Sequence, residues 1–324
     1  MNYRSFRDLT HDLLTWELPT DIDVIVGIPR SGLLAATILA LNSHVHLATV
    51  EGLLRGELIQ GGQRLPHGPG DFFHQPRKVL VVDDSLLSGC QMAQARERLV
   101  PLASRHSILF AAVYVQPGHE PLVDFFRELL PTPRIFAWNF MHHMLLAQSC
   151  VDIDGVLCRD PSEAENDDGP EYARFLADVQ PRFVPSVRIR YLVTCRLEKY
   201  RSLTEEWLSR HGIGYDRLVM MDLPTKAARV ASGSHATFKA SVYRRTDTQL
   251  FIESSREQAD DIARLSGGDV LCTDTMEFVL PPVIRGHIRR QTRPLRLLRE
   301  NPREFFRKLK ARFGYYLPKA DWPI

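Results

Sequence analysis

Twice in this chain a short apolar run ends in two carboxylates and a glycine: VLVVDDSLLSGCQ at residues 79–91 and CVDIDGVL at residues 150–157. A run of four or five consecutive apolar residues is too short for a helix and reads as a strand buried on both faces. Carboxylates at its end, followed by glycine, turn the chain sharply at the rim of a sheet. Two such units, about seventy residues apart and differently built, imply two sites on two cores. A chain of 324 residues is long enough to bury both.

The surrounding pattern extends this reading. Residues 23–27 form an apolar run, followed by IPRSG at 28–32 and an Ala/Leu-rich stretch to Leu41. Strand, loop and helix repeat at residues 79–82 and 92–102, with further strands expected at 110–115 and 134–140. Residues 52–74 are glycine-rich and aperiodic, which predicts a lid or binding loop. The second half restarts at Cys150, with strands expected at 191–194, 250–253 and 270–273. A capping box at Ser202 and Glu205 is expected to open a helix ending near Gly212. Strands alternating with helices predict an α/β fold of two doubly wound parallel sheets, residues 1–148 and 149–284, with a tail over 285–324.

Charge separates the tail from the rest. Residues 1–149 carry 12 Lys/Arg against 14 Asp/Glu (−2), residues 150–284 carry 17 against 22 (−5), and residues 285–324 carry 12 against 3 (+9). Two mildly acidic bodies give no nucleic-acid footprint. The five cysteines are odd in number and lack metal spacing, the expectation for reduced thiols in the cytoplasm. No apolar run approaches the roughly 20 residues of a membrane span, and the N-terminus has no apolar signal segment.

In residues 79–91, Asp83 and Asp84 are expected to end the strand, and Ser85 to Gly89 to turn into a helix. Backbone N–H groups at a helix start can cradle a phosphate, and the acidic pair can accept hydrogen bonds from sugar hydroxyls. Together these describe a ribose 5-phosphate. The segment resembles the phosphoribosyl-pyrophosphate (PRPP) signature of type I phosphoribosyltransferases, and residues 28–32 resemble that family's pyrophosphate loop, in matching order and spacing. The resemblance implies that Asp83 and Asp84 hold the ribose hydroxyls. Ser85, Ser88 and Gly89 would cradle the 5-phosphate, and Arg30, Ser31 and Gly32 would face the pyrophosphate. The 52–74 segment would be a hood offering Arg55 and Arg64. Leu87, Ser88 and Gln91 stand where the family commonly has threonines, so hydroxyl donors are fewer. Trp138 is read either as a stacking surface for the acceptor or as a core residue.

In Asp152-Ile-Asp154-Gly155 the carboxylates stand at i and i+2, so one can attack a phosphoryl group while the other serves the leaving group. The second half resembles the haloacid dehalogenase-like (HAD) phosphohydrolases along most of its length. That resemblance implies Asp152 as nucleophile, Asp154 as general acid/base, Thr194 as the orienting hydroxyl and Lys239 as the residue offsetting phosphoryl charge, with Lys226 as its alternative. It also implies Mg²⁺ held by Asp152, Asp154 and Glu253. Ser254 follows Glu253 where another acidic residue is usual. The insert carrying Asn166-Asp167-Asp168-Gly169 is short, which implies a small cap. Cys158 and Cys195 read as small buried residues.

In the tail, Asn301, Pro302 and Glu304 form a helix start. Phe305, Phe306, Leu309 and Phe313 share one face, and Arg307, Lys308, Lys310 and Arg312 surround it. Such a helix can lie on an anionic membrane surface, dock on a partner, or pack on the acidic domains. The functional expectation is a bifunctional enzyme. One half would transfer ribose 5-phosphate from PRPP to an unknown acceptor, and the other would hydrolyse a phosphate monoester, such as that product. The alternative is a PRPP or nucleotide sensor regulating a HAD phosphatase or phosphotransferase. The oligomeric state is left open.

Overall fold

The structure is a computed structural model describing residues 1–59, 72–233 and 235–281. Arg64 and the basic tail lie outside the described residues. The chain divides into two compact units, the first ending at His143 and the second beginning at Met144.

The first unit contains β1 (Asn2–Arg4), α1 (Phe6–Leu14), β2 (Val24–Gly27), α2 (Ser31–Ser43), β3 (His46–Thr49), α3 (Val50–Arg55), β4 (Lys78–Leu86), α4 (Cys90–Leu99), β5 (Ser107–Val115), β6 (Phe125–Leu129) and β7 (Arg134–Phe136). Five parallel strands form its main sheet in the order β3-β2-β4-β5-β6. Alternate residues of the apolar runs enter two separate cores. Val24, Val26, Val79 and Val81 pack with Leu53 of α3 and Met92 and Leu99 of α4. Ile25, Leu80 and Val82 pack with Leu9 and Leu13 of α1 and Ala35 and Leu39 of α2. Helices on both faces are what an unbroken apolar strand requires, since burying each such side chain contributes about 1.5–3 kcal/mol.

Three expectations for this unit are corrected. The strand carrying Asp83 and Asp84 continues to Leu86 and the helix begins only at Cys90, because β5 keeps pairing as far as Ser85↔Tyr114 and Leu86↔Val115. The strand expected over 134–140 stops at Phe136 and pairs with β1 outside the main sheet. Beyond it Asn139 turns back, its N–H donating to the Phe136 carbonyl. The expected loop from residue 52 begins as helix, since Thr49 caps α3 by accepting from the Gly52 N–H.

The second unit contains β8 (Ser149–Val151), α5 (Pro170–Asp178), β9 (Ile189–Leu197), α6 (Arg201–Arg210), β10 (Tyr215–Met221), α7 (Lys226–Ala231), α8 (His235–Tyr243), β11 (Leu250–Glu253), α9 (Arg256–Ser266), β12 (Asp269–Cys272) and β13 (Glu277–Val279). Its sheet order is β10-β9-β8-β11-β12-β13, parallel except for β13. Ala236 and Ala240 of α8 and Ala259 and Ile262 of α9 cover one face over Val193, Phe251 and Val270. Thr194 does not end its strand, which runs to Leu197 because β10 pairs that far. The capping box at Ser202 is not formed. A 3₁₀ turn over Glu198–Tyr200 leads directly into α6, so Ser202 falls inside the first turn.

Candidate functional sites

Each sheet has one place where the strand order reverses. In the first unit the chain leaves β2 for β3 on one side and returns to β4 on the other. In the second it leaves β8 for β9 and returns to β11 on the far side. In open α/β sheets the crevice beyond the carboxyl ends of such strands is where ligands bind. Both acidic motifs stand there.

In the first unit, Ser31 and Gly32 open α2 directly after β2, and Asp83 and Asp84 lie near the end of neighbouring β4. The contact is close: a Cβ on Gly32 would lie 2.8 Å from Asp83 Oδ1 and from the Val82 carbonyl. Only glycine lets the helix start approach the acidic pair. Neither α2 nor α4 has a side-chain cap, whereas α1 and α3 are capped by Ser5 and Thr49. No side chain of the cap residue occupies the N–H groups of their first turns, which leaves room for an anion, although Ser88 Oγ reaches the first N–H of α4. Gly89 caps α4 at φ +76°, and Ser88 Oγ sits 3.4 Å from the Cys90 N–H. Ser85 remains in β4, and Leu87 is exposed beside the cradle. Arg30 is exposed and makes no ion pair among the described residues.

Asp83 Oδ1 accepts from the Asp84 N–H at 3.0 Å, and Asp84 Oδ2 accepts from Trp138 Nε1 at 2.7 Å. Burial, then the charge of Asp84, raises the Asp83 carboxyl above the usual range. Trp138 stacks on Phe136 at 4.8 Å and 17°. It thus belongs to the aromatic core while its indole edge fixes Asp84.

In the second unit the structure gathers Asp152, Asp154, Thr194, Lys239 and Glu253 around a cleft of 180 Å³. Lys239 Nζ donates to Asp152 Oδ2 at 2.6 Å, Glu253 Oε2 at 2.7 Å and Gln258 Oε1 at 2.9 Å. All three partners in this ion cluster, Lys239, Asp152 and Glu253, are at most 4% exposed. Burial raises the Asp152 carboxyl, Lys239 opposes the rise, and Glu253 and Asp154 add to it. The lysine is raised in turn: desolvation lowers it, and Asp152 and Glu253 outweigh that. Lys226 stands apart from this cluster, its Nζ on the Asn166 carbonyl.

Arg196, which the sequence reading missed, changes the picture at Asp154. It is fully buried and grips the carboxylate with Nη2 at 2.6 Å from Oδ1 and Nε at 3.1 Å from Oδ2. Both oxygens of the expected general acid are therefore engaged. The carboxylates expected to hold Mg²⁺ all have protein partners. Asp152 Oδ1 accepts the Ile153 N–H, Glu253 Oε1 accepts from Ser254 and Ser255, and the remaining oxygens face Lys239 and Arg196. Among the described residues no group of three His, Cys, Asp or Glu side chains is arranged to hold a metal ion.

Smaller features explain the motif's other residues. Gly155 has φ +79°, and a Cβ there would meet Ser254 Oγ at 2.1 Å, so a small residue after Glu253 matches the glycine turn. In the insert, Asp167 accepts from the Gly169 and Tyr172 N–H groups and starts α5, while Asp168 pairs with Lys199. Burial pushes the Cys158 and Cys195 thiols up, in keeping with inert packing.

No family model matches the chain, and no curated protein matches it. Among solved structures, xanthine-guanine-hypoxanthine phosphoribosyltransferase from Helicobacter pylori is 16% identical with a TM-score of 0.32, over 42% of this chain and 90% of its own. A purine phosphoribosyltransferase from Pyrococcus horikoshii is 17% identical with a TM-score of 0.30, over 42% of this chain and 92% of its own. A chain of a Pnkp1/Rnl/Hen1 complex covers 79% of this chain and 98% of its own, at 16% identity and a TM-score of 0.27. Likenesses this distant carry no functional argument, which rests on the residues.

Proposed function

We propose that the chain is a bifunctional phosphate enzyme: the first unit transfers ribose 5-phosphate from PRPP to an acceptor, and the second hydrolyses a phosphate monoester. The observation that carries the proposal is the seating of each acidic motif at its own sheet's strand-order reversal, beside uncapped helix starts in one unit and a buried Lys–Asp–Glu cluster in the other. In the first reaction the bond from ribose C1 to pyrophosphate breaks as the bond to the acceptor forms, so the protein's part is to orient the ribose and bind the departing charge. Asp83 and Asp84 would hold the hydroxyls, with Trp138 fixing the second carboxylate. In the second, Asp152 attacks phosphorus, the ester bond breaks, and water hydrolyses the aspartyl phosphate to release inorganic phosphate. Asp154 would have to leave Arg196 before protonating the leaving group.

The test is ³¹P NMR of the full chain with PRPP and a panel of nucleobase and amine acceptors, with and without Mg²⁺, which the family resemblance implies. Pyrophosphate is expected first and inorganic phosphate second. Asp152→Asn should still release pyrophosphate while a phosphorylated product accumulates. Phosphate release from that variant at the wild-type rate would overturn the assignment. One observation favours binding without turnover in the first unit: Leu87 exposes an apolar side chain beside the cradle, 53% accessible. PRPP binding without pyrophosphate release from any acceptor would establish that reading instead.

A further inference from the structure

The cleft of the second unit contains a cation to which the sequence assigns no role. Arg229, on α7, is 8% exposed and lines the cleft with Asn166, Tyr172, Thr194 and His235. Its Nη1 donates to the Cys195 carbonyl at 3.1 Å and its Nη2 reaches Asn166 Oδ1 at 3.5 Å. Its Nε is buried without a partner, and among the described residues no carboxylate pairs with it. The Tyr172 hydroxyl is a further partner, but a guanidinium carries five N–H donors, and the buried Nε is unspent. A buried charge without a counter-ion is costly and calls for an anion.

Two other cations, Lys239 in the cleft and Arg196 on Asp154, are already committed. An ammonium has three N–H donors, and Lys239 directs them to Asp152, Glu253 and Gln258. Arg196 spends its Nε and Nη2 on Asp154 and reaches Thr204 with Nη1. Lys239 has no donor left for an incoming phosphoryl oxygen without releasing a partner, and the charge of Arg196 is already matched by the Asp154 carboxylate. Arg229 has a donor left, and its bond to the Cys195 carbonyl tethers it one residue beyond Thr194.

We propose that Arg229 is the phosphoryl-binding cation of this cleft, taking the oxyanion of phosphate or a phosphate monoester, while Lys239 serves to hold Asp152 and Glu253. The inference rests on the phosphate-site reading of the second unit, and its test separates the two. Inorganic phosphate is titrated calorimetrically into the full chain carrying Ser88→Glu, which places a carboxylate in the first unit's cradle and suppresses binding there. On that background Arg229→Gln keeps an N–H donor for the Cys195 carbonyl but removes the charge. It should weaken phosphate binding about tenfold or more, the scale of a lost charge-assisted hydrogen bond. Arg229→Lys should restore most of the affinity, and thermal melts confirm that each variant folds. Phosphate affinity unchanged in Arg229→Gln would overturn the inference and leave the phosphate site standing. Failure of the Ser88→Glu chain itself to bind phosphate would overturn both.

Discussion

Lys239→Met removes the only ammonium from a cluster in which Asp152 and Glu253 are 4% and 0% exposed. The 2.6 Å and 2.7 Å hydrogen bonds vanish together, and two desolvated carboxylates are left facing one another. Charge-assisted bonds contribute about 1.5–3 kcal/mol each, and breaking a buried pair costs about 3–5 kcal/mol in all. Near neutral pH this should lower the melting temperature of the second unit by roughly 10 °C or more. The sign of its pH dependence follows from proton uptake. Burial already raises the Asp152 carboxyl in the folded state, and without the lysine that opposes the rise it goes further above its unfolded value of about 4. Such groups leave stability intact below the unfolded value and lose it as pH rises through the folded one. The deficit should therefore be small near pH 4 and grow towards about pH 8. Urea unfolding of wild type and variant across that range measures it. A deficit below about 1 kcal/mol at every pH would refute the idea of a buried ion cluster.

Other outcomes are as specific. Trp138→Phe keeps the aromatic stack but leaves Asp84 without its 2.7 Å donor, so it should cost about 1–3 kcal/mol and weaken PRPP binding, both measurable by melting with and without ligand. Gly155→Ala forces a Cβ into Ser254 at positive φ and should cost about 2–3 kcal/mol in urea unfolding, partly recovered by Ser254→Gly. Asp83→Asn removes a carboxyl held above its usual range by burial and Asp84, whose stabilising protonated form is lost as pH rises. The variant should therefore gain stability relative to wild type as pH rises above about 4, and a pH-independent difference would contradict the assignment.

The sequence carried the architecture because apolar runs such as VLVV leave few alternatives to a strand covered on both faces. It also marked Asp152, Thr194 and Glu253, each at or near the end of such a run, whereas Lys239, within a helix, came only from what the HAD resemblance implies. What it concealed was pairing across the fold. Arg196 is two residues beyond Thr194 in an unremarkable stretch, and only the return of β9 against β8 brings it to Asp154, 42 residues away. Arg229 belongs to a six-residue helix too short to leave a periodicity. The indole bond of Trp138 to Asp84 joins residues 54 apart. The extension of β4 through Asp83, Asp84 and Ser85 was hidden because the residues themselves look like a loop, and only their pairing with β5 makes them strand.

The central claim is that one chain holds two separate phosphate sites. It is tested most directly by titrating PRPP and inorganic phosphate into wild type, Asp84→Asn and Arg229→Gln, with binding at each unit followed by hydrogen exchange. PRPP should protect the starts of α2 and α4, and that protection should fade in Asp84→Asn alone. Phosphate should protect the residues around Thr194 and His235, and that protection should fade in Arg229→Gln alone. Loss of both responses in either variant, or protection of the same unit by both ligands with none in the other, would contradict the account.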